Sequence, residues 1–162
     1  MARQFSLPYQ LPPVSLLAPA ADAAGRTSSY RSLKNALKAY VIAEVNQGNA
    51  ATVLLTLLQA KDVSGTGSKA LTGVVPIWLE NNTATSDALV SQAAAVNFTT
   101  DATTNNKIVV FEITPEQCMD LANGFRSIAI STGASNAANI TRAELLVLES
   151  YQGASQPSTY TN

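Results

Sequence analysis

The sequence has no histidine and a single cysteine, Cys118, among its 162 residues. The absence of histidine excludes Ser-His-Asp catalysis, histidine-based metal sites and proton transfer by imidazole. A lone cysteine cannot form an internal disulfide, so the fold needs no oxidising compartment. We therefore predict no catalytic residue, no metal and no cofactor, and we interpret Cys118 as a small buried hydrophobic side chain.

Charged and aromatic residues are also scarce, at 13% and 6% of the chain. A typical globular domain is about one quarter charged. Alanine supplies 26 positions and serine with threonine 31, which predicts a core of small and β-branched side chains under a neutral, hydroxyl-rich surface. No apolar run approaches the ~18 residues of a membrane span, and the first residues lack the apolar stretch of a signal peptide. We expect synthesis in the cytoplasm and no membrane partner.

The few charges are unevenly distributed. Residues 1–40 carry a net charge of +4, whereas residues 41–162 carry a net charge of −5. Either the basic first part is attracted to an acidic partner surface, or its charges are simply solvated. Five basic residues over this length, without interleaved aromatics, are too dilute to follow a phosphate backbone. We therefore expect no nucleic-acid partner.

Residues 1–29 form a proline-rich stretch that predicts an extended arm, since each proline fixes φ and removes a backbone donor. The arm also carries more apolar side chains than a solvated tail needs. Either they pack along the chain's own sheet, or they dock on a neighbouring subunit or another protein. We predict that deleting residues 1–25 leaves a folded body and abolishes docking. The candidate docking residues are Phe5, Leu7, Tyr9, Leu11, Val14 and Leu16, together with the basic Arg26, Arg31 and Lys34.

The middle of the chain reads as short apolar strands separated by Gly, Asn and Thr turns, which favours an all-β fold. The fold class that we predict is an antiparallel β-sandwich of jelly-roll type. It occupies residues 30–151 and is followed by a flexible tail over residues 152–162. Pro76 indicates an edge strand or a bulge. About eight strands are predicted, over residues 39–45, 51–60, 74–79, 88–91, 96–99, 107–113, 125–132 and 140–148.

One short helix is indicated over residues 115–122. Thr114 stands at an N-cap position, Pro115 suits the first helical position, and Gln117 completes the spacing of a capping box. The pair Asn123-Gly124 predicts the end of the helix.

Two other functions are open to the same residues. Trp78 lies in an apolar run, residues 74–79, which favours burial in the core. With Tyr30, Tyr40 and Tyr151 it could instead stack on sugar rings, as in a jelly-roll carbohydrate-binding module. Four strand glutamates could supply the paired acids of a glycosidase, but solvated or ion-paired acids are far commoner. These are Glu44, Glu112, Glu144 and Glu149.

Several stretches of the chain resemble the capsid decoration (cement) or auxiliary head proteins of tailed bacteriophages. The resemblance covers about residues 11–150 and rests on fold and turn residues. The stretches are Leu11-Pro12-Pro13-Val14, residues 20–27, Tyr30-Arg31-Ser32-Leu33-Lys34-Asn35-Ala36, Gln47-Gly48-Asn49-Ala50-Ala51, Val75-Pro76-Ile77-Trp78 and residues 132–140.

This resemblance implies a structural β-sandwich subunit, commonly a homotrimer, that sits on the outer surface of the virion capsid. There it would bridge neighbouring copies of the major capsid protein and resist the pressure of packaged DNA. A different virion component, such as a tail or head–tail joining subunit, is the nearest alternative.

Overall fold

The computed structural model describes residues 5–150 and 157–162. The described chain is mostly β, in two antiparallel sheets, which confirms the predicted all-β sandwich. No helix within the described ranges is long and apolar enough to cross a membrane. The strands are β1 Val14–Ala21, β2 Arg26–Thr27, β3 Arg31–Ser32, β4 Ala36–Gln47, β5 Leu54–Ala60, β6 Lys69–Ala70, β7 Val75–Glu80, β8 Val90–Ala95, β9 Asn97–Thr99, β10 Asn106–Ile113, β11 Ser127–Thr132 and β12 Asn139–Glu149.

The two sheets pack face to face. Sheet A has the order β1-β12-β4-β10-β7-β8. Sheet B has the order β2-β11-β5-β6, and β3 pairs with β11 and β9 with β5. The long strand β4 lies between β12 and β10, so it forms the middle of sheet A.

The core lies between the sheets and consists of alternate side chains of each strand, as a half-buried strand requires. Sheet A contributes Val41, Ala43 and Phe111, and sheet B contributes Leu55 and Leu57, all with no exposed surface. Most members of this cluster are aliphatic, with Phe111 as a large exception. The core is therefore lean in aromatics, as the composition predicts.

Pro76 lies in an interior strand, because β7 pairs with both β10 and β8. The register of the β7–β8 pair shifts between Val75 and Ile77. The bulge predicted at Pro76 is therefore present, and the alternative of an edge strand is wrong. The shift accommodates a residue that cannot donate to the sheet.

The predicted helix is shorter than expected. Helix α2 spans Pro115–Cys118, Met119 is extended, and a separate 3-10 turn covers Leu121–Asn123 before Gly124 at φ +82°. The side chain of Thr114 makes no capping hydrogen bond. The helix ends early because the Cys118 carbonyl accepts hydrogen bonds from the amides of residues 72 and 73, in the loop before β7.

Both ends of the described chain differ from the sequence-based expectation. Within the predicted extended arm, Leu7–Gln10 forms a short helix, α1, and Val14–Ala21 is strand β1. Within the predicted flexible tail, the Thr159 carbonyl accepts a 2.8 Å hydrogen bond from the amide of Ser32. Residues 157–162 therefore contact the body through β3.

Candidate docking surfaces

The N-terminal segment, defined here as residues 5–11, presents apolar side chains to solvent. Phe5 is 63% exposed, Leu7 44% and Tyr9 77%, whereas Leu11 is half-buried. Nothing in this segment is charged. These four candidate docking residues therefore lie together, on a segment whose apolar surface the described body leaves largely uncovered.

Strand β1 belongs to the body. It pairs antiparallel with β12, and Val14 stands opposite Leu145. Leu16 is only 7% exposed and is part of the main core, and the half-buried Val14 packs against it. For this part of the arm, the alternative of packing along the chain's own sheet is therefore the one observed. Leu16 contributes to folding and is not accessible for docking in this conformation.

Arg26 ties β1 to the body. Its guanidinium donates to the carbonyls of Ala18, Ala20 and Thr141 at 2.8, 2.9 and 2.6 Å and pairs with Asp22 at 3.2 Å. Asp22 is fully buried and accepts a further hydrogen bond from the Thr141 hydroxyl. These contacts satisfy the carbonyls of an edge strand, so Arg26 acts within its own chain.

The other two basic candidates have different surroundings. The guanidinium of Arg31 stacks 4.0 Å from the ring centroid of Tyr160 and donates to the Tyr30 carbonyl at 3.2 Å. Arg31 therefore helps to hold residues 157–162 against the body. Lys34 is exposed, in the turn between β3 and β4. Of the three predicted basic contacts, Lys34 is the one that is exposed.

A second apolar surface lies on the side of sheet A that faces away from the core, and we call it the outer face of sheet A. Its central row places Ile42 beside Val110, and Val110 beside Trp78, on adjacent strands. In the next row Tyr40 stands beside Leu146. All five are half-buried, and none belongs to the core cluster.

Five charged side chains on this face are paired within the chain. At one end Lys38 contacts Glu112, and this hydrogen bond raises the pKa of Lys38 and lowers that of Glu112. Toward the other end Arg142 bonds to Glu44 at 2.6 Å and to Glu144, which stands beside Ile42, at 3.1 Å. The hydrogen bond to Glu44 raises the pKa of Arg142. A partner would therefore meet pre-paired charges.

Trp78 is not a core residue, contrary to the sequence-based prediction. Its neighbours Val75 and Ile77 are buried, whereas Trp78 is half-buried on the outer face, beside Val110. The aromatic group proposed for sugar binding is not assembled, because Tyr30 is buried on sheet B, on the far side of the sandwich. Tyr151 lies outside the described residues.

The outer face of sheet B is covered by its own chain. Tyr30 is 9% exposed and packs on Ala60 and Ala129, with Leu58 beside them. The hydroxyls of Tyr30 and Ser68 are hydrogen-bonded, which fastens the loop of residues 61–68 over this face. The uncovered part carries the hydroxyl side chains of Thr56 and Ser131 and the exposed side chain of Leu54.

The strand acids proposed as a glycosidase pair are separated by their surroundings. Glu44 and Glu144 share one arginine, Glu112 is held by Lys38, and Glu149 is buried at the end of β12, where burial raises its pKa. Within residues 5–150 and 157–162, no three Cys, Asp or Glu side chains are grouped as a metal site.

Sequence reasoning missed the outer face of sheet A. The signal was present in β4, where Tyr40 and Ile42 alternate with Val41 and Ala43, so that both faces of the strand are apolar. Such a pattern indicates a strand covered on both sides. In comparisons with known proteins, no family model, no curated protein and no solved structure matches this chain.

Proposed function

We propose that the protein is a structural subunit of a bacteriophage virion that decorates the capsid and stabilises it by bridging neighbouring copies of the major capsid protein. The observation that carries this proposal is the N-terminal segment, an uncharged apolar stretch that projects from a closed β-sandwich with Phe5 63% and Tyr9 77% exposed. Burial of such a segment on another protein contributes about 25 cal/mol of favourable free energy per Å² of apolar surface.

The surface of the body supports the same function. Only 13% of residues are charged, and the described ion pairs of the outer face of sheet A are satisfied within the chain. A neutral surface of this kind packs repeatedly against copies of another subunit without large desolvation costs. Many weak contacts on one shell then add through avidity.

A jelly-roll topology is part of the proposal. When β6, β7 and β8 are treated as an insertion, and β2 with β3 as one strand, eight strands remain. Counted along the chain, the first, eighth, third and sixth are neighbours in sheet A. The second, seventh, fourth and fifth are neighbours in sheet B. This order supports a double Greek key, the topology of many capsid and lectin domains.

The proposed subunit acts as a homotrimer on the outer capsid surface, as the family resemblance implies. Phe5, Leu7, Tyr9 and Leu11 supply apolar contact with the capsid or with a neighbouring subunit, and Lys34 supplies attraction to acidic groups. Arg26 and Arg31 act indirectly, because they hold β1 and residues 157–162 in place.

The direct test is binding to bacteriophage heads that lack this protein and are assembled from the major capsid protein of the same phage. We expect saturable co-sedimentation of the purified chain, and decorated heads that withstand higher temperature than bare heads. A folded chain that never sediments with the heads at any concentration would refute the proposal. Binding to purified tails instead of heads would favour the tail alternative.

The N-terminal segment can be tested separately from the fold. The triple variant Phe5→Ser, Leu7→Ser, Tyr9→Ser keeps β1 and should weaken head binding by at least about tenfold, since tenfold corresponds to about 1.4 kcal/mol. Val74→Ser is the matched control, because Val74 is 61% exposed but lies on the body. Equal binding by the triple variant and the control would show that the segment does not dock.

The structure also changes the expected result of a longer deletion. Removing residues 1–25 takes away β1, with Leu16 and Leu17 of the core and the buried Asp22. We expect this deletion to unfold or strongly destabilise the body, whereas removal of residues 2–11 should leave the thermal transition nearly unchanged. Circular dichroism during heating distinguishes the two.

A further inference from the structure

The outer face of sheet A has the composition of a surface that is covered in the working protein. Ile42, Val110 and Trp78 form a continuous apolar row across three strands, with Tyr40 and Leu146 beside it. These side chains are half-buried and do not belong to the core. A contiguous apolar patch on a sheet face marks an interaction site.

The size of the face fits a protein partner. Four strands, β12, β4, β10 and β7, at a spacing of about 4.8 Å span about 19 Å. These strands have 11, 12, 8 and 6 residues, each about 3.3 Å long. The face therefore offers roughly 590 Å² in projection, above the ~500 Å² that each partner contributes to the smallest specific interfaces.

The charges on the face suit a second copy of the same chain. One end carries the Lys38–Glu112 pair, and the other end carries Arg142 with Glu44 and Glu144. The first pair is neutral and the second cluster has an excess of one negative charge, so two copies can bring these faces together without strong repulsion. A strongly charged partner of either sign would find most of these charges already neutralised.

We infer that the outer face of sheet A is the surface through which copies of this chain associate. The apolar row around Val110 forms the centre of the contact, and the two ion-paired clusters form its polar rim, the usual anatomy of a protein interface. The inference deepens the proposed function, because it names the surface by which the copies of the proposed homotrimer meet, and this contact requires no capsid.

The test is the solution mass of the purified full chain, measured by light scattering across a range of concentrations. The wild-type chain should have two or three times the mass of the 17.0 kDa chain. Val110→Lys should remain at the single-chain mass at the same concentrations, because a lysine at the centre of the contact would be buried unpaired. Thr56→Lys is the matched control on sheet B and should keep the wild-type mass.

A more conservative variant keeps the test informative if Val110→Lys misfolds. Val110→Thr replaces one methyl group with a hydroxyl and should raise the dissociation constant by about tenfold, which corresponds to about 1.4 kcal/mol, with an unchanged circular dichroism spectrum. A wild-type chain that is a monomer at every concentration would overturn the inference, as would a folded Val110→Lys chain of wild-type mass.

The result is separable from the proposed function. A wild-type monomer that binds heads overturns the contact between copies and leaves capsid decoration intact. A wild-type oligomer that does not bind heads overturns capsid decoration and leaves the contact between copies intact.

Discussion

The outer faces of the two sheets are covered to different extents by the rest of the chain. Tyr30 and the loop of residues 61–68 cover part of sheet B, and its remaining outward positions include the hydroxyl side chains of Thr56 and Ser131 and one exposed apolar side chain, Leu54. Sheet A presents Ile42, Val110 and Trp78 outward, and among the described residues no loop is fastened over them in the same way. One face is partly closed by intramolecular contacts, whereas the other is the proposed contact between copies of the chain.

This difference separates folding from assembly. Tyr30 and its loop contribute to the stability of a single chain, because they bury the small side chains of Ala60 and Ala129. The apolar side chains of sheet A contribute little until another surface removes them from water. Substitutions on sheet B should therefore change the free energy of unfolding, and substitutions on sheet A should change association.

The largest effect that we expect is a difference in stability between alanine variants of two tyrosines that lie on the outer faces of different sheets. Tyr30→Ala should lower the free energy of unfolding by about 3–4 kcal/mol, as buried aromatic-to-alanine changes do. Tyr40→Ala, on the outer face of sheet A, should cost less than about 1 kcal/mol in the single chain. Urea unfolding at a low protein concentration measures both. Equal losses of unfolding free energy in the two variants would contradict the difference between the faces.

Two glycines test whether the loop of residues 61–68 packs on Tyr30. Gly65 and Gly124 have φ of +87° and +82°, so alanine strains the backbone at either position, by about 1–2 kcal/mol. A Cβ at Gly65 would also approach the Tyr30 ring to 3.0 Å, whereas at Gly124 it meets nothing within 4 Å.

Gly65→Ala should therefore destabilise the chain more than Gly124→Ala, by about 1 kcal/mol, a typical cost of crowding a packed site. Thermal or urea unfolding gives the difference. If the two variants lose the same stability, the loop does not press on Tyr30 and the covering of sheet B is weaker than described.

The smallest effect concerns the connection between the sheets, where β9 of sheet B leads to β10 of sheet A. Burial alone would raise the pKa of Asp101, but hydrogen bonds from Thr103 and Asn81 and the charge of Lys107 lower it to about 2. The folded pKa lies below the unfolded value of 3.8. The ionised carboxylate therefore stabilises the fold above pH 3.8, and this contribution is lost as the pH falls through about 2.

Asp101→Asn removes that pH dependence. The difference in unfolding free energy between the wild type and this variant should be constant near neutral pH and should shrink between about pH 4 and pH 2. Denaturant titrations over this range provide the measurement. A difference that does not change with pH would mean that Asp101 makes no charge-dependent link between the sheets.

Local patterns predicted most of the strands well. The expected strands at residues 107–113 and 140–148 correspond to β10, Asn106–Ile113, and β12, Asn139–Glu149. Strong alternation and clear turn residues define such elements without help from distant parts of the chain. The all-β sandwich follows from the same signals.

Strand β1 could not be predicted from local sequence, because Pro19 and the preceding prolines indicate an arm. Its pairing depends on β12, and its carbonyls depend on Arg26, which are contacts between residues distant in sequence. Trp78 was misassigned because its run is apolar at successive positions, so periodicity does not tell which face of β7 meets the core. Tertiary packing decides both.

The most direct test of the account uses Trp78, the only tryptophan in the chain, which lies on the outer face of sheet A. Fluorescence emission should be recorded during a dilution series of the wild-type chain, with iodide quenching at each concentration. The account predicts a shift of the emission to longer wavelength and stronger quenching on dissociation, with the same midpoint as the fall in mass. An unchanged emission and quenching across that dissociation would contradict it, because the outer face of sheet A would then be no more covered in the assembly than in the free chain.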